Sequence, residues 1–264
     1  MTLTVRQHYV PRVYLRAWVD SSGNLTVLNK STGINIHPRP ENILLEKHYY
    51  EDPTVAPTNE LEKAFHEYEG AFGGLCRLLT QVETTAINLK QPVAETLADM
   101  LFARPERAAA LKNFAATAYF RTPLALKSMR DQLATDGSAD AQKAFCQLNF
   151  PYDLGAMAFD STLLQRFKDL NIMIVHSADK RLDTGDCFCV PIAWGTNHRN
   201  FGYDIGRHGQ AGALLSITPS IAAIFLANPT ANKPIIFGKA APADAAQEIN
   251  ALIESSSERW VVRG

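Results

Sequence analysis

Ile172-Met173-Ile174-Val175 is where the chain changes character. It is a short apolar, β-branched run bounded by polar residues, the signature of a strand buried in a sheet. Four further runs of the same kind follow: Cys187 to Ile192, Leu214 to Ile217, Ile221 to Leu226, and Ile235-Ile236-Phe237. Turn residues separate them, and the spacing predicts a sheet across 171–238. Ala243 to Ser256 then returns to a helical pattern, with Ile249, Leu252 and Ile253 inward.

Upstream of residue 171 the pattern is helical. Leu61, Phe65, Tyr68, Phe72, Leu75 and Leu79 trace one face of the strongest helix, which Asn59 and Glu62 open with capping-box spacing. From Pro92 to about Asn149 the spacing predicts three or four packed helices, broken at Pro105 and Pro123. Near the start, Leu25, Val27, Ile34 and Ile36 alternate around Ser31-Thr32-Gly33, a hairpin that is a candidate to join the sheet. The expected fold is one α+β domain over 1–264, with a helix-rich part at 58–170 and a strand-rich part at 171–238, the sheet mainly antiparallel or mixed.

The most informative short stretch is Gln7-His8-Tyr9-Val10-Pro11-Arg12-Val13-Tyr14-Leu15-Arg16-Ala17-Trp18. Pro11 favours extended backbone before it and a helix start after it. Val10, Tyr14 and Trp18 recur at helical spacing, so His8 is expected just outside a helix mouth, where free N–H groups suit an anion.

This opening resembles that of the bacterial domain-of-unknown-function family numbered 4238. Five later features carry the likeness: Tyr49-Tyr50, Glu62 with Glu69, Arg104-Pro105, Asp183-Thr184-Gly185-Asp186, and Asn250 followed by Arg259. Where that family reads Thr-Ser-Asp-Asn-Pro, Gly185 and Cys187-Phe188 stand here. The resemblance implies a family and no particular reaction.

With 264 residues and a formal net charge of −1, the chain carries no global basic field for a polyanion. Arg6, Arg12 and Arg16 form a local basic cluster, balanced by Asp20 and later acids. Cys76, Cys146, Cys187 and Cys189 lack C-x-x-C spacing, which argues against a thiolate zinc site and fits a reducing cytosol. No apolar leader is apparent, and the longest apolar run, Ile221 to Ala227, is too short to span a membrane. A cytoplasmic location is expected, and the sequence leaves the oligomeric state open. Phosphate-loop, dinucleotide, H-E-x-x-H and nucleophile-elbow motifs are absent from the sequence.

The candidate chemistry rests on scattered polar residues. Glu62, His66 and Glu69 share one flank of a helix; they could ligate a divalent metal, orient basic groups, or form a solvated flank. His8 with Gln7 is an acid/base or ligand candidate, or a packed histidine at the helix entry. Asp186, with Asp183 as competitor, is either a strand-edge acid or a turn residue. Arg104, with Arg121 behind it, could clamp an anion or pair with Glu62 or Glu69. His198-Arg199 and Arg207-His208 sit in a Gly- and Asn-rich loop.

Two functions fit this set. One is a hydrolase, a nuclease-like effector of bacterial conflict or phage defence, acting on an anionic phosphodiester-type substrate. In it Gln7, His8, Glu62, Glu69 and Asp186 would carry catalysis, Arg104 and Arg12 would hold the substrate, and a divalent metal is the cofactor those acids suit. The other is a non-enzymatic binding or interaction module in which the same residues form a buried structural network. Its partner would be a small anionic ligand or nucleic acid, near-neutral charge favouring a compact ligand.

Overall fold

The fold was analysed in a computed structural model, which describes residues 5–51, 56–136, 138–140, 143, 152–157, 159, 161–178, 181–193, 211–227, 235–242 and 244–264. The chain opens with strand β1 (Arg6–His8) and, after Pro11, helix α1 (Arg12–Leu15), which tightens into a 3₁₀ turn at Arg16–Trp18. The hairpin β2 (Thr26–Asn29) and β3 (Ile34–Ile36) follows, then β4 (Leu45–Lys47), which pairs back antiparallel onto β1. Helices α2 (Glu60–Asn88), α3 (Val93–Phe102), α4 (Pro105–Phe120), α5 (Pro123–Asp136), α6 (Tyr152–Met157) and α7 (Ser161–Lys168) make the central layer. The C-terminal side holds β5 (Asn171–His176), β6 (Thr184–Gly185), β7 (Cys189–Ala193), β8 (Ala211–Ser216), β9 (Ile221–Leu226), β10 (Ile236–Ala240), α8 (Ala245–Ser256) and β11 (Trp260–Arg263).

This is an α+β protein with helices in the middle and mixed sheets on the C-terminal side. The larger sheet has the order β10-β5-β9-β8-β7, antiparallel except where β10 runs parallel to β5. Pro191 lies in β7, at the end of that order, where a missing N–H costs the ladder least. Both faces of β5 are covered, which is why its sequence reads as an unbroken apolar run. Ile172 and Ile174 join the cluster that contains Leu97 and Phe114, whereas Met173 and Val175 pack with Ile249 and Ile253 of α8.

The hairpin does not extend that sheet. It builds a second one, β3-β2-β11-β6, around the C-terminal strand. β11 is only four residues long, directly after a helix, so no period-2 signal of useful length announces it.

Tyr14 is the hub of the interior. It is fully buried, and Trp18, Phe72, Phe114 and Phe188 ring it at centroid distances of 4.8 to 6.2 Å. Its hydroxyl donates to the Ser216 carbonyl at 2.7 Å and therefore accepts from the Thr184 hydroxyl. Trp18 Nε1 donates to the Leu182 carbonyl at 2.9 Å. Phe72 of α2 and Phe114 of α4 stack nearly parallel, 3.6 Å between centroids. One cluster of buried apolar side chains thus includes both Tyr9 and Val262.

Two local expectations change. The first helix is a single turn followed by 3₁₀ backbone, so little dipole accumulates at its start, and the anion-binding mouth expected beside His8 does not form. Asn59 does not cap α2 with its side chain; it adopts φ 56° and turns its amide oxygen elsewhere.

Candidate functional site

Arg121 follows α4 directly, at the break that Pro123 imposes, and its side chain is buried between α2, β1 and Tyr50. The guanidinium uses its whole fork. Nη1 donates to Glu69 Oε1 at 2.6 Å, Nη2 to the His8 carbonyl at 2.8 Å, and Nε to the Tyr50 hydroxyl at 3.3 Å. Its carbon lies 3.8 Å from the centroid of the Phe65 ring. A planar cation with fixed donors suits such a position, where an ammonium would satisfy fewer partners.

Gln7 is equally committed. Its amide nitrogen donates to Glu51 Oε1 at 2.7 Å and to Asn59 Oδ1 at 3.2 Å, and its amide oxygen accepts the Tyr50 N–H at 2.7 Å. The partners are two acceptors and one donor, which fixes the orientation of the amide. Glu51 also accepts the N–H groups of Thr58 and Asn59. This is the destination of the Asn59 side chain, drawn from its helix to hold β1.

Two groups retain chemical freedom. His8 Nε2 lies 3.1 Å from the Pro40 carbonyl, which can only accept, so that nitrogen carries the proton and Nδ1 holds the lone pair in the neutral ring. Burial lowers the His8 pKa to about 4; the Pro40 carbonyl and Glu69 oppose this, while Arg12 and Arg6 add to it. The imidazole is therefore neutral at pH 7. Glu62 has one carboxylate oxygen buried without a hydrogen-bond partner among the described residues. Burial raises its pKa, with Arg121 pulling it down and Glu69 pushing it up.

Among the residues singled out in the sequence, Gln7, His8, Glu62 and Glu69 therefore share one neighbourhood. Arg12 stands exposed beside them, close enough to act electrostatically on His8 and Glu62. Arg104 is not part of it. It precedes α4 whereas Arg121 follows it, about 24 Å of helix away, and its exposed side chain reaches Glu106 at 4.0 Å. Arg121 takes the carboxylate-pairing role that Arg104 was expected to share.

Asp186 is not a free acid either. Its carboxylate accepts the backbone N–H groups of Glu258, Arg259 and Trp260 at 2.8, 2.6 and 2.9 Å, fixing the entry to β11. Asp183 takes the Arg263 guanidinium at 2.6 Å and the Gly264 N–H at 3.0 Å, and its own N–H goes to Asn250. Gly185 between them has no room for a side chain, since an added Cβ would fall 2.7 Å from the Trp260 carbonyl oxygen and 2.2 Å from Ser257 Oγ.

His66 is exposed, and among the described residues no group of three or more His, Cys, Asp or Glu side chains gathers to hold a metal ion. The Glu62–His66–Glu69 flank thus does not close into a metal site there. Cys187 Sγ donates to the Cys189 carbonyl at 3.8 Å, and burial pushes the Cys76 thiol up to about 12 and that of Cys189 higher still, which keeps both unreactive. His198, Arg199, Arg207, His208 and Cys146 lie outside the described residues.

What the network shapes is a cleft of about 250 Å³ between the β1–β4 ribbon and the start of β11. Tyr9, Asn42, Leu44, Glu46, Arg259 and Trp260 line it. The Arg259 guanidinium lies over the Trp260 ring, 4.8 Å from its centroid. Gln7 holds one wall through β1, and Asp186 holds the other through the backbone of Arg259 and Trp260. Sequence reading missed Trp260, Tyr9 and Glu46 as a lining; only the Tyr9 and Arg259 positions carried a signal, through the resemblance.

An α+β scaffold whose buried polar residues clamp its two terminal segments is the class these observations define. Residues 6–264 match the family model described as Protein of unknown function (DUF4238), and the chain belongs to that family. No curated protein and no solved structure matches the chain. Among the described residues no helix is long and apolar enough to cross a membrane.

Proposed function

We propose that this protein is a recognition module that takes a small anion bearing an aromatic ring into the cleft beneath Arg259. The observation that carries this reading is the structural commitment of Gln7, Arg121 and Asp186: each hydrogen-bonds backbone or a buried partner, and two of them fix opposite walls of one cleft. Such groups act as positioning residues. Arg259 supplies the charge and a guanidinium plane, Trp260 and Tyr9 supply aromatic surface, and Asn42 supplies an amide at the rim, where the Glu46 carboxylate opposes a second negative charge. Thermal-shift titration with adenosine 5′-monophosphate tests it. A saturable rise in Tm that disappears in Arg259→Ala, whose own Tm equals wild type, supports the reading. No rise, or a rise that survives the substitution, rejects it.

A second reading, hydrolysis of an anionic phosphodiester-type substrate, is favoured by one specific observation. A neutral histidine whose Nδ1 makes no hydrogen bond among the described residues and a carboxyl group whose pKa is raised both lie within electrostatic reach of Glu69 and Arg12, a combination acid–base chemistry can use. In this reading His8 is the base, Glu62 the acid, and Arg12 holds the charged group. Turnover of bis(p-nitrophenyl) phosphate should then fall at least about 100-fold in both His8→Ala and Glu62→Gln. Equal rates in all three proteins would dismiss it.

A further inference from the structure

Earlier on α4, away from Arg121, Lys112 is buried, 7% exposed, in the wall of an apolar pocket of about 290 Å³. Leu101 and Phe102 at the end of α3, Pro105, Ala108 and Ala109 of α4, Ile236 of β10 and Lys168 form the rest of the wall. Phe102 is 70% exposed, so a large ring faces solvent beside this hollow. Lys112 Nζ donates to the Lys168 carbonyl at 2.6 Å. An ammonium has three donors, and no second hydrogen bond engages it among the described residues. Burial lowers its pKa to about 8, against the pull of Asp169, so it is predominantly charged at pH 7.

A cation held in an otherwise apolar hollow is costly unless something compensates it. We infer that this pocket is a binding site for a small amphiphile with one carboxylate head and an apolar body, the head meeting Lys112 and the body lying against Leu101, Ala108, Ala109 and Ile236. The volume suits a short chain or single ring, at the small end of ligand sites. Asp169 nearby penalises a dianion more than a monoanion, which favours carboxylate over phosphate. This site is separate from the Arg259 cleft and shares no lining residue with it.

The test is isothermal titration calorimetry of the whole chain with sodium octanoate, with octan-1-ol as the uncharged control. Octanoate should bind saturably at pH 7 and at least about tenfold more weakly at pH 9.5, where Lys112 has lost its proton. Lys112→Met should bind it at least about tenfold more weakly, and Ala109→Trp, which fills the hollow, should abolish binding while circular dichroism and Tm stay at wild-type values. Arg259→Ala should leave it unchanged. If Lys112→Met does not fold, the pH dependence and Ala109→Trp decide. Absence of saturable octanoate binding, equal affinity for octan-1-ol, or wild-type affinity in Ala109→Trp would overturn the inference.

Discussion

Truncating Gln7 to alanine strips the Tyr50 N–H of its acceptor and takes a donor from Glu51 and Asn59. Stranded buried groups of this kind cost about 1–3 kcal/mol, more when one is charged. Urea denaturation of Gln7→Ala should therefore show a loss of about 3 kcal/mol. Gln7→Glu should lose more, because it sets a second carboxylate against Glu51; a stable Gln7→Glu protein would mean the amide orientation is wrong. His8 gives a pH signature. Its folded pKa of about 4 lies below the ordinary 6.5, so between those values the unfolded chain binds the extra proton. The stability this contributes is complete above pH 6.5 and is lost as pH falls toward 4. Glu62, with its raised pKa, works in the opposite sense, so the comparison must be between proteins. A plot of Tm against pH should be flatter from 6.5 to 4 in His8→Gln than in wild type, and parallel curves would contradict the placement of the imidazole. None of these pairings was legible locally: Gln7 meets Glu51 across 44 positions, and His8 meets Arg121 across 113.

Helix α2 was readable because of its apolar stripe, of which Leu61, Phe65, Phe72, Leu75 and Leu79 are buried and Tyr68 is half-buried. Its start was misread because Asn59 obeys a tertiary demand from Gln7 rather than the local capping rule. The strands at 171–237 were readable as apolar runs; β1, β4, β6 and β11 were not, each being two to four residues long. The contact of α1 with α2 depends on Gly73, where an added Cβ would lie 2.5 Å from Val13 Cγ2. In an exposed helix Gly→Ala gains about 1 kcal/mol. Here Gly73→Ala should instead lower Tm, and adding Val13→Ala should restore or exceed the wild-type value. Thermal denaturation of the two variants decides this, and a Tm rise in Gly73→Ala alone would show that the helices are not in close contact.

At the scale of the molecule, the two ends of the chain are each clamped by a buried polar group, Gln7 bonded to Glu51, Asn59 and the Tyr50 N–H at one end and Asp186 bonded to backbone at the other. Asp186 holds the N–H groups leading into β11, and β11 lies between β2 and β6. Asp186→Asn turns amide hydrogens toward those donors. It should cost about 2–3 kcal/mol in urea denaturation and weaken any ligand bound under Arg259; unchanged stability would release Asp186 from its structural role. The sequence displayed the right polar residues for a centre, yet it could not show that they bond one another, since that depends on Arg121 reaching Glu69, His8 and Tyr50 at once. Removal of a group kept for catalysis tends to leave a protein as stable or more so, whereas breaking a buried ion pair costs about 3–5 kcal/mol. The equilibrium stability of Arg121→Met against urea separates the two most directly. The structure predicts a loss of that size with the hydrogen-exchange protection of Tyr50 reduced, and a midpoint equal to or above wild type would contradict it.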